Sequence, residues 1–213
     1  MNKVDFSKYD LFVVDFDGTI VDTMEMWKHI CPNFVRYMGL EPSEDIYSRI
    51  TSKTNLEIAR FMRDEYFNEY TYDELTEKFF DFIKMEYVKQ DIKPNAYKLL
   101  LDLAKHGKVV LYSATAGSVL NVLLDKFDLR KYFNNIYSGS DLGITKKDGS
   151  GYLEVIKLEG GCNKALILED ATHAILGARS IGLDVLAILD VSNKDKLDIV
   201  NQHAKYLIDL SQY

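Results

Sequence analysis

Short runs of large apolar residues punctuate this chain, and amphipathic stretches lie between them. Leu11-Phe12-Val13-Val14, Val109-Val110-Leu111-Tyr112, Ala165-Leu166-Ile167-Leu168 and Val185-Leu186-Ala187-Ile188-Leu189 run without a polar interruption. That is the pattern of strands covered on both faces, as in a parallel sheet flanked by helices. A weaker strand is expected near Ile136 and Tyr137. Leu99, Leu100, Leu103 and Ala104 form the apolar face of a helix closed by Gly107, and further helices are expected over 117–127, around Leu153, Ile156 and Leu158, and ahead of Gly182. Residues 195–213 are expected to add a helix and a short strand. The alternation predicts an α/β fold, a Rossmann-like parallel sheet flanked by helices.

Residues 21–92 break the alternation. Met24, Trp27, Cys31, Phe34 and Met38 recur at three- and four-residue intervals and stop at Gly39, with Pro42 beyond. A second helix is expected over 55–67. Thr71 and Glu74 then form a capping box ahead of Leu75, Phe79, Phe82, Ile83 and Tyr87. No strand pattern occurs between 24 and 90. The expected organisation is a core of residues 1–20 and 93–213, with 21–92 as an all-helical insertion after the first strand.

Composition narrows the function. A net charge of -7 disfavours a nucleic-acid polymer or an anionic membrane as partner. No long apolar span or signal peptide opens the chain, so a cytoplasmic protein is expected, a monomer or weak dimer. Cys31 and Cys162 lie far apart and outside any Cys-x-x-Cys pair, which reads as two reduced thiols. His29, His106, His173 and His203 are dispersed, against a histidine-rich metal centre.

The chemistry sits where apolar runs end. Asp15 and Asp17 follow the first run, separated by Phe16, and Gly18 permits a sharp turn. The second run ends in Ser113 and the third in Glu169-Asp170. Parallel strands bring these ends to one edge, where ligands bind in open α/β sheets. An isolated Asp-x-Asp-Gly would be read as a solvated turn; three polar strand ends together argue for a site.

Asp15 to Thr19, followed by Asp22-Thr23, resembles the first motif of the haloacid dehalogenase superfamily of phosphotransferases. Ser113 matches its second motif and Glu169-Asp170 its fourth. Its third motif is a lysine in Lys-Pro-x-Pro with an aromatic six positions on. Counting back from Tyr152 selects Lys146, with Lys147 in the proline's place; both prolines are absent, so Lys147 stays an alternative. The resemblance implies that 21–92 is a helical cap, and that the protein is a Mg²⁺-dependent phosphatase acting on a small phosphorylated metabolite such as a sugar phosphate or nucleotide. It assigns Asp15 as nucleophile, Asp17 as acid and then base, and Ser113 and Lys146 to catalysis. Phe16, Thr19, Ser113, Ala114 and Lys146 would bind or position the phosphoryl group, with Thr19 steering Asp17. Mg²⁺ would be held by Asp15, Asp170 and the Asp17 carbonyl, and by Glu169 through water. Hard oxygen donors suit that ion, and its charge lets a carboxylate approach an anionic ester.

Two alternatives stay open, a phosphomutase similar to β-phosphoglucomutase and a non-catalytic binding protein on the same fold. Trp27 and His173 are expected to be a packing residue and a solvated helix residue, Thr115 at most a supporting hydroxyl. Arg49, Lys53 and Arg60 are read as exposed charges before contacts to a substrate's anionic part.

Overall fold

The computed structural model describes residues 4–50 and 55–213. Along the chain these form β1 (Leu11–Val14), β2 (Val21–Asp22), α1 (Met24–Tyr37), α2 (Ile46–Ile50), α3 (Asn55–Glu65), α4 (Tyr72–Tyr87), β3 (Asp91–Ile92) and α5 (Ala96–Ala104). There follow β4 (Lys108–Ser113), α6 (Gly117–Lys126), β5 (Asn135–Ser138), α7 (Gly139–Leu142), α8 (Ser150–Leu158), β6 (Ala165–Glu169), α9 (Thr172–Ser180), β7 (Asp184–Ile188), α10 (Leu197–His203) and β8 (Tyr206–Ile208). Among the described residues, no helix is long and apolar enough to cross a membrane.

Six strands make one parallel sheet in the order β5-β4-β1-β6-β7-β8, an α/β Rossmann-like arrangement with flanking helices. The chain builds outward from β1 to one side, then returns to β1 and builds to the other. That reversal creates a crevice at the carboxyl ends beside β1. All residues of β1 and β6 are buried, as expected of strands covered on both faces. Register does the positioning: Val14 is level with Leu111 of β4 and Leu168 of β6. The residues that follow therefore emerge side by side.

The opposite, amino-end edge is fastened by charge. Asp184, at the start of β7, accepts hydrogen bonds from Tyr9 Oη at 2.9 Å and Lys205 Nζ at 2.7 Å, with Arg179 and Lys164 at 3.6 and 3.8 Å. Burial works against this carboxylate, but the donors from Lys205 and Tyr9 outweigh it and hold its pKa below the usual value.

The chain divides into two compact units, residues 1–24 with 91–213, and residues 25–90. Residues 21–24 and 91–92 fall with the sheet because β2 and β3 pair antiparallel, Val21 opposite Ile92 and Asp22 opposite Asp91. Two residues per strand carry no readable periodicity, so the sequence pattern runs the helical segment to 92. Within 25–90, Phe34 gathers Phe67, Phe79 and Phe82 at ring distances of 5.9, 5.1 and 5.4 Å. Trp27 packs on Tyr87 at 5.9 Å, and Thr71 and Glu74 complete the capping box that starts α4. Arg49 pairs with Glu65 at 2.8 Å, Arg60 is exposed, and Lys53 lies outside the described residues.

Candidate active site

The ladder of the sheet continues one residue past β1, where Asp15 N–H donates to the Leu168 carbonyl at 2.9 Å. This sets Asp15 beside Glu169, the last residue of β6. The chain then turns tightly: the Phe16 carbonyl accepts from the N–H groups of Thr19, Ile20 and Val21 at 3.3, 2.9 and 3.0 Å. Gly18 makes the turn at φ +77°, and a Cβ there would run into the Asp170 carboxylate. Both facts require glycine.

Lys146 reaches this edge from the loop before α8. Its ammonium pairs with Asp15 and, at 3.0 Å, with Glu169. All three side chains are buried. The loop can approach because Gly177 of α9 has no side chain, and a Cβ there would strike the Lys146 carbonyl. Two tyrosine rings line the ammonium, Tyr112 with its centroid 5.1 Å away and Tyr152 at 6.0 Å. Lys147 is exposed, so Lys146 is the one of the two lysines that lies against these carboxylates.

Burial raises the pKa of Asp15 against the pull of Lys146. Burial and then the Asp15 charge push Glu169 well above the carboxylate range and Asp170 up to about 8. Burial also opposes the charge on Lys146, but Asp15 and Glu169 overcome it and raise its pKa. One ammonium is thus asked to balance more carboxylates than it can.

Asp17 is held differently, by hydroxyl groups on both of its carboxylate oxygens. Its Oδ1 accepts from Thr23 at 2.8 Å, and its Oδ2 from Thr115 at 2.8 Å and Ser113 at 3.3 Å. Hydroxyls can donate or accept, so they suit a carboxyl group that gains and loses a proton. Here the structure corrects an expectation. Thr19 does not steer Asp17; the turn tucks it inward, and its hydroxyl donates to Asp170 Oδ1 at 3.3 Å. Thr23 takes the place at Asp17 instead.

The other expected positions lie at the same edge. Ser113 ends β4 and also accepts from Thr115 N–H at 3.0 Å. Ala114, exposed, follows it. Phe16 is buried beneath the turn. His173 is exposed on α9. Asp15, Glu169 and Asp170 each offer an oxygen, all within 4.8 Å of one another. These are hard donors crowded in a buried place and short of positive charge, which fits a divalent cation. Missed at the sequence level were Tyr112, Thr23 as the partner of Asp17, and the Asp190-x-Ser192-Asn193 turn after β7 that contacts Asp170. Thr23 stood inside the motif; for the turn, Asp, Ser and Asn together after an apolar run were the available signal.

Comparison with known proteins follows the same lines. The sequence model of the haloacid dehalogenase-like hydrolases matches residues 12–188. A phosphoglycolate phosphatase of Agrobacterium fabrum is 25% identical over 185 residues, 84% of this chain and 79% of the relative. Among solved structures, CbbY from Rhodobacter sphaeroides, in complex with phosphate, superposes with a TM-score of 0.76 at 16% identity, covering 96% of each chain. A candidate β-phosphoglucomutase from Thermotoga maritima gives 0.75 at 19% identity over 95% of each.

Proposed function

The chain belongs to the haloacid dehalogenase-like hydrolases, and from that premise we propose that it is a Mg²⁺-dependent phosphatase of small phosphomonoesters working through an aspartyl-phosphate. The observation that carries the reading is the unequal treatment of two neighbouring acids. Asp15 is buried against an ammonium, while Asp17 accepts hydrogen bonds from the hydroxyls of Thr23, Thr115 and Ser113. Acids with distinct environments are what a nucleophile and a proton shuttle require.

In this reading Asp15 Oδ attacks phosphorus and the ester P–O bond breaks, leaving phosphate on Asp15. Asp17 gives its proton to the departing alkoxide. Water then attacks phosphorus, Asp17 takes up its proton, the Asp15–phosphate bond breaks and inorganic phosphate leaves. Lys146 keeps Asp15 ionised and faces the phosphoryl charge, and Ser113 and the Ala114 backbone line the phosphoryl oxygens. Asp15, Asp170 and the Asp17 carbonyl would hold Mg²⁺, with Glu169 acting through water. Bound there, the ion supplies charge that offsets the repulsion between carboxylate and phosphate. The helical unit serves as a cap, and the protein works in the cytoplasm on a phosphorylated metabolite.

The relative named a phosphoglycolate phosphatase favours water as the phosphate acceptor. A phosphomutase would pass the phosphoryl group to a second sugar hydroxyl on the same site. An activated aryl phosphate tests the mechanism. Wild-type protein should turn over with Mg²⁺ and stop in excess chelator. Asp15→Asn should give no phenol release at all. Asp17→Asn should give a burst followed by slow turnover, because a good leaving group needs no proton whereas water still needs a base. Mass spectrometry should then find phosphate on Asp15. Phosphate trapped on Asp17, or full turnover in chelator, would overturn the assignment. Glucose-phosphate isomerisation without phosphate release would decide for the mutase.

A further inference from the structure

The carboxylate of Asp170 is gripped on both oxygens, and one grip comes from a loop to which the mechanism gives no role. Thr19 donates to Oδ1 at 3.3 Å, and the Ser192 hydroxyl donates to Oδ2. Ser192 sits in a turn just past β7 that is closed on itself. Its N–H donates to Asp190 Oδ1 at 2.9 Å, Asn193 N–H donates to the Asp190 carbonyl at 3.2 Å, and Asp190 N–H donates to Asn193 Oδ1 at 3.2 Å. Asn193 is fully buried. Its amide nitrogen donates to the Asp170 carbonyl at 2.8 Å and to the Ile188 carbonyl at 2.7 Å.

The turn is therefore tied to the peptide of Asp170 by Asn193 and to its carboxylate by Ser192. Its own buried charge, Asp190, is matched by Lys93. The Lys93 N–H in turn donates to the Ile20 carbonyl at 2.9 Å, next to Thr19. The network thus closes around Asp170 from both sides.

We propose that Ser192, carried by the turn that Asn193 locks, is a positioning residue that fixes the rotation of the Asp170 carboxylate for cation binding. The proposal rests on the reading of Asp170 as a cation ligand. Rotation about the last bond of an aspartate is soft, with broad, roughly two-fold preferences. A ligand left free to turn must be ordered when the ion arrives, and a donor that holds the carboxylate in place removes that cost. Outer partners of this kind are typically worth 10–100-fold in metal affinity. Ser192→Ala deletes only the hydroxyl, since the turn is closed by backbone, Asp190 and Asn193.

The test is Mn²⁺ binding followed by electron paramagnetic resonance, with Mg²⁺ as competitor, alongside activity at varied metal. Ser192→Ala should weaken Mn²⁺ binding by about tenfold and raise the metal concentration for half-maximal activity by the same factor. Its kcat at saturating metal should be unchanged, and Ser192→Thr should restore affinity. Val191→Ala, an exposed neighbour, should match wild type. Asp170→Asn should lose binding. If Asp170→Asn loses binding while Ser192→Ala binds as wild type, the positioning role is wrong and the cation site stands. If Asp170→Asn binds normally, the cation-site reading itself fails. A fall in kcat without a change in affinity would also overturn the proposal. Should Ser192→Ala not fold, Ser192→Cys takes its place in the same assay.

Discussion

Lys146 is the only cation paired with Asp15 and Glu169 among the described residues, and it cannot be replaced from next door. Lys147 follows it in sequence yet points its charge to solvent. Lys146→Ala should therefore lower kcat by roughly 10²–10³, the usual cost of deleting one preorganised electrostatic group. Lys147→Ala should leave it near wild type, and steady-state kinetics on the two variants checks the order. Equal losses would mean that the pair acts as a diffuse field. The choice was half legible: the distance to Tyr152 pointed to Lys146, although the prolines that normally frame such a lysine are absent. What the spacing could not convey is which hydroxyl serves which acid. Thr19 and Thr23 flank one turn, and only the direction of that turn sends the first to Asp170 and the second to Asp17.

α9 exerts its effect through an absence, the missing side chain of Gly177. In an ordinary helix interior, Gly→Ala would gain about 0.8–1 kcal/mol from propensity. Here the new methyl would meet the Lys146 carbonyl, with the Lys147 carbonyl at 2.9 Å, and backbone cannot swing aside as a side chain can. Overpacking of this sort costs about 1–3 kcal/mol, so the net sign should be destabilising. Gly177→Ala should lower the urea midpoint and, by displacing the lysine loop, reduce kcat as well. A more stable variant with full activity would show that the loop yields freely. At this scale the buried strands read clearly from sequence because β1, β4 and β6 each contain an unbroken run of apolar residues. α8 read less well. Leu153 and Leu158 are about half exposed, whereas Tyr152 and Val155 are buried, because the helix is rotated to place Tyr152 beside Lys146. β2 and β3 were hidden by their length.

The two edges of the sheet have opposite electrostatic characters. At the carboxyl edge acids outnumber cations; at the amino edge Asp184 is surrounded by Lys205, Lys164 and Arg179. Asp184 has a folded pKa below its ordinary 3.8. Its contribution is therefore present above that value and lost as pH falls through the lower, folded one. Asp184→Asn should cost about 1.5–3 kcal/mol at pH 7, in line with hydrogen bonds to a charged group. The gap between variant and wild type should narrow towards pH 3. Urea midpoints at the two pH values check this, and a gap that stays constant would mean that shape rather than charge holds that edge.

The pairing of β2 with β3 has a consequence for the history of such a chain. The polypeptide leaves the sheet-bearing unit at 24 and re-enters at 91, and close to those crossings Asp22 and Asp91 stand opposite one another in a ladder. Directly opposed residues in an antiparallel pair have Cα atoms about 5 Å apart. A gene segment whose two junctions encode such neighbours can be lengthened, trimmed or exchanged by recombination while the sheet is left intact, as with insertions at other closely spaced ends. The helical segment and the carboxylate edge are thus separately heritable, and each can diverge at its own pace.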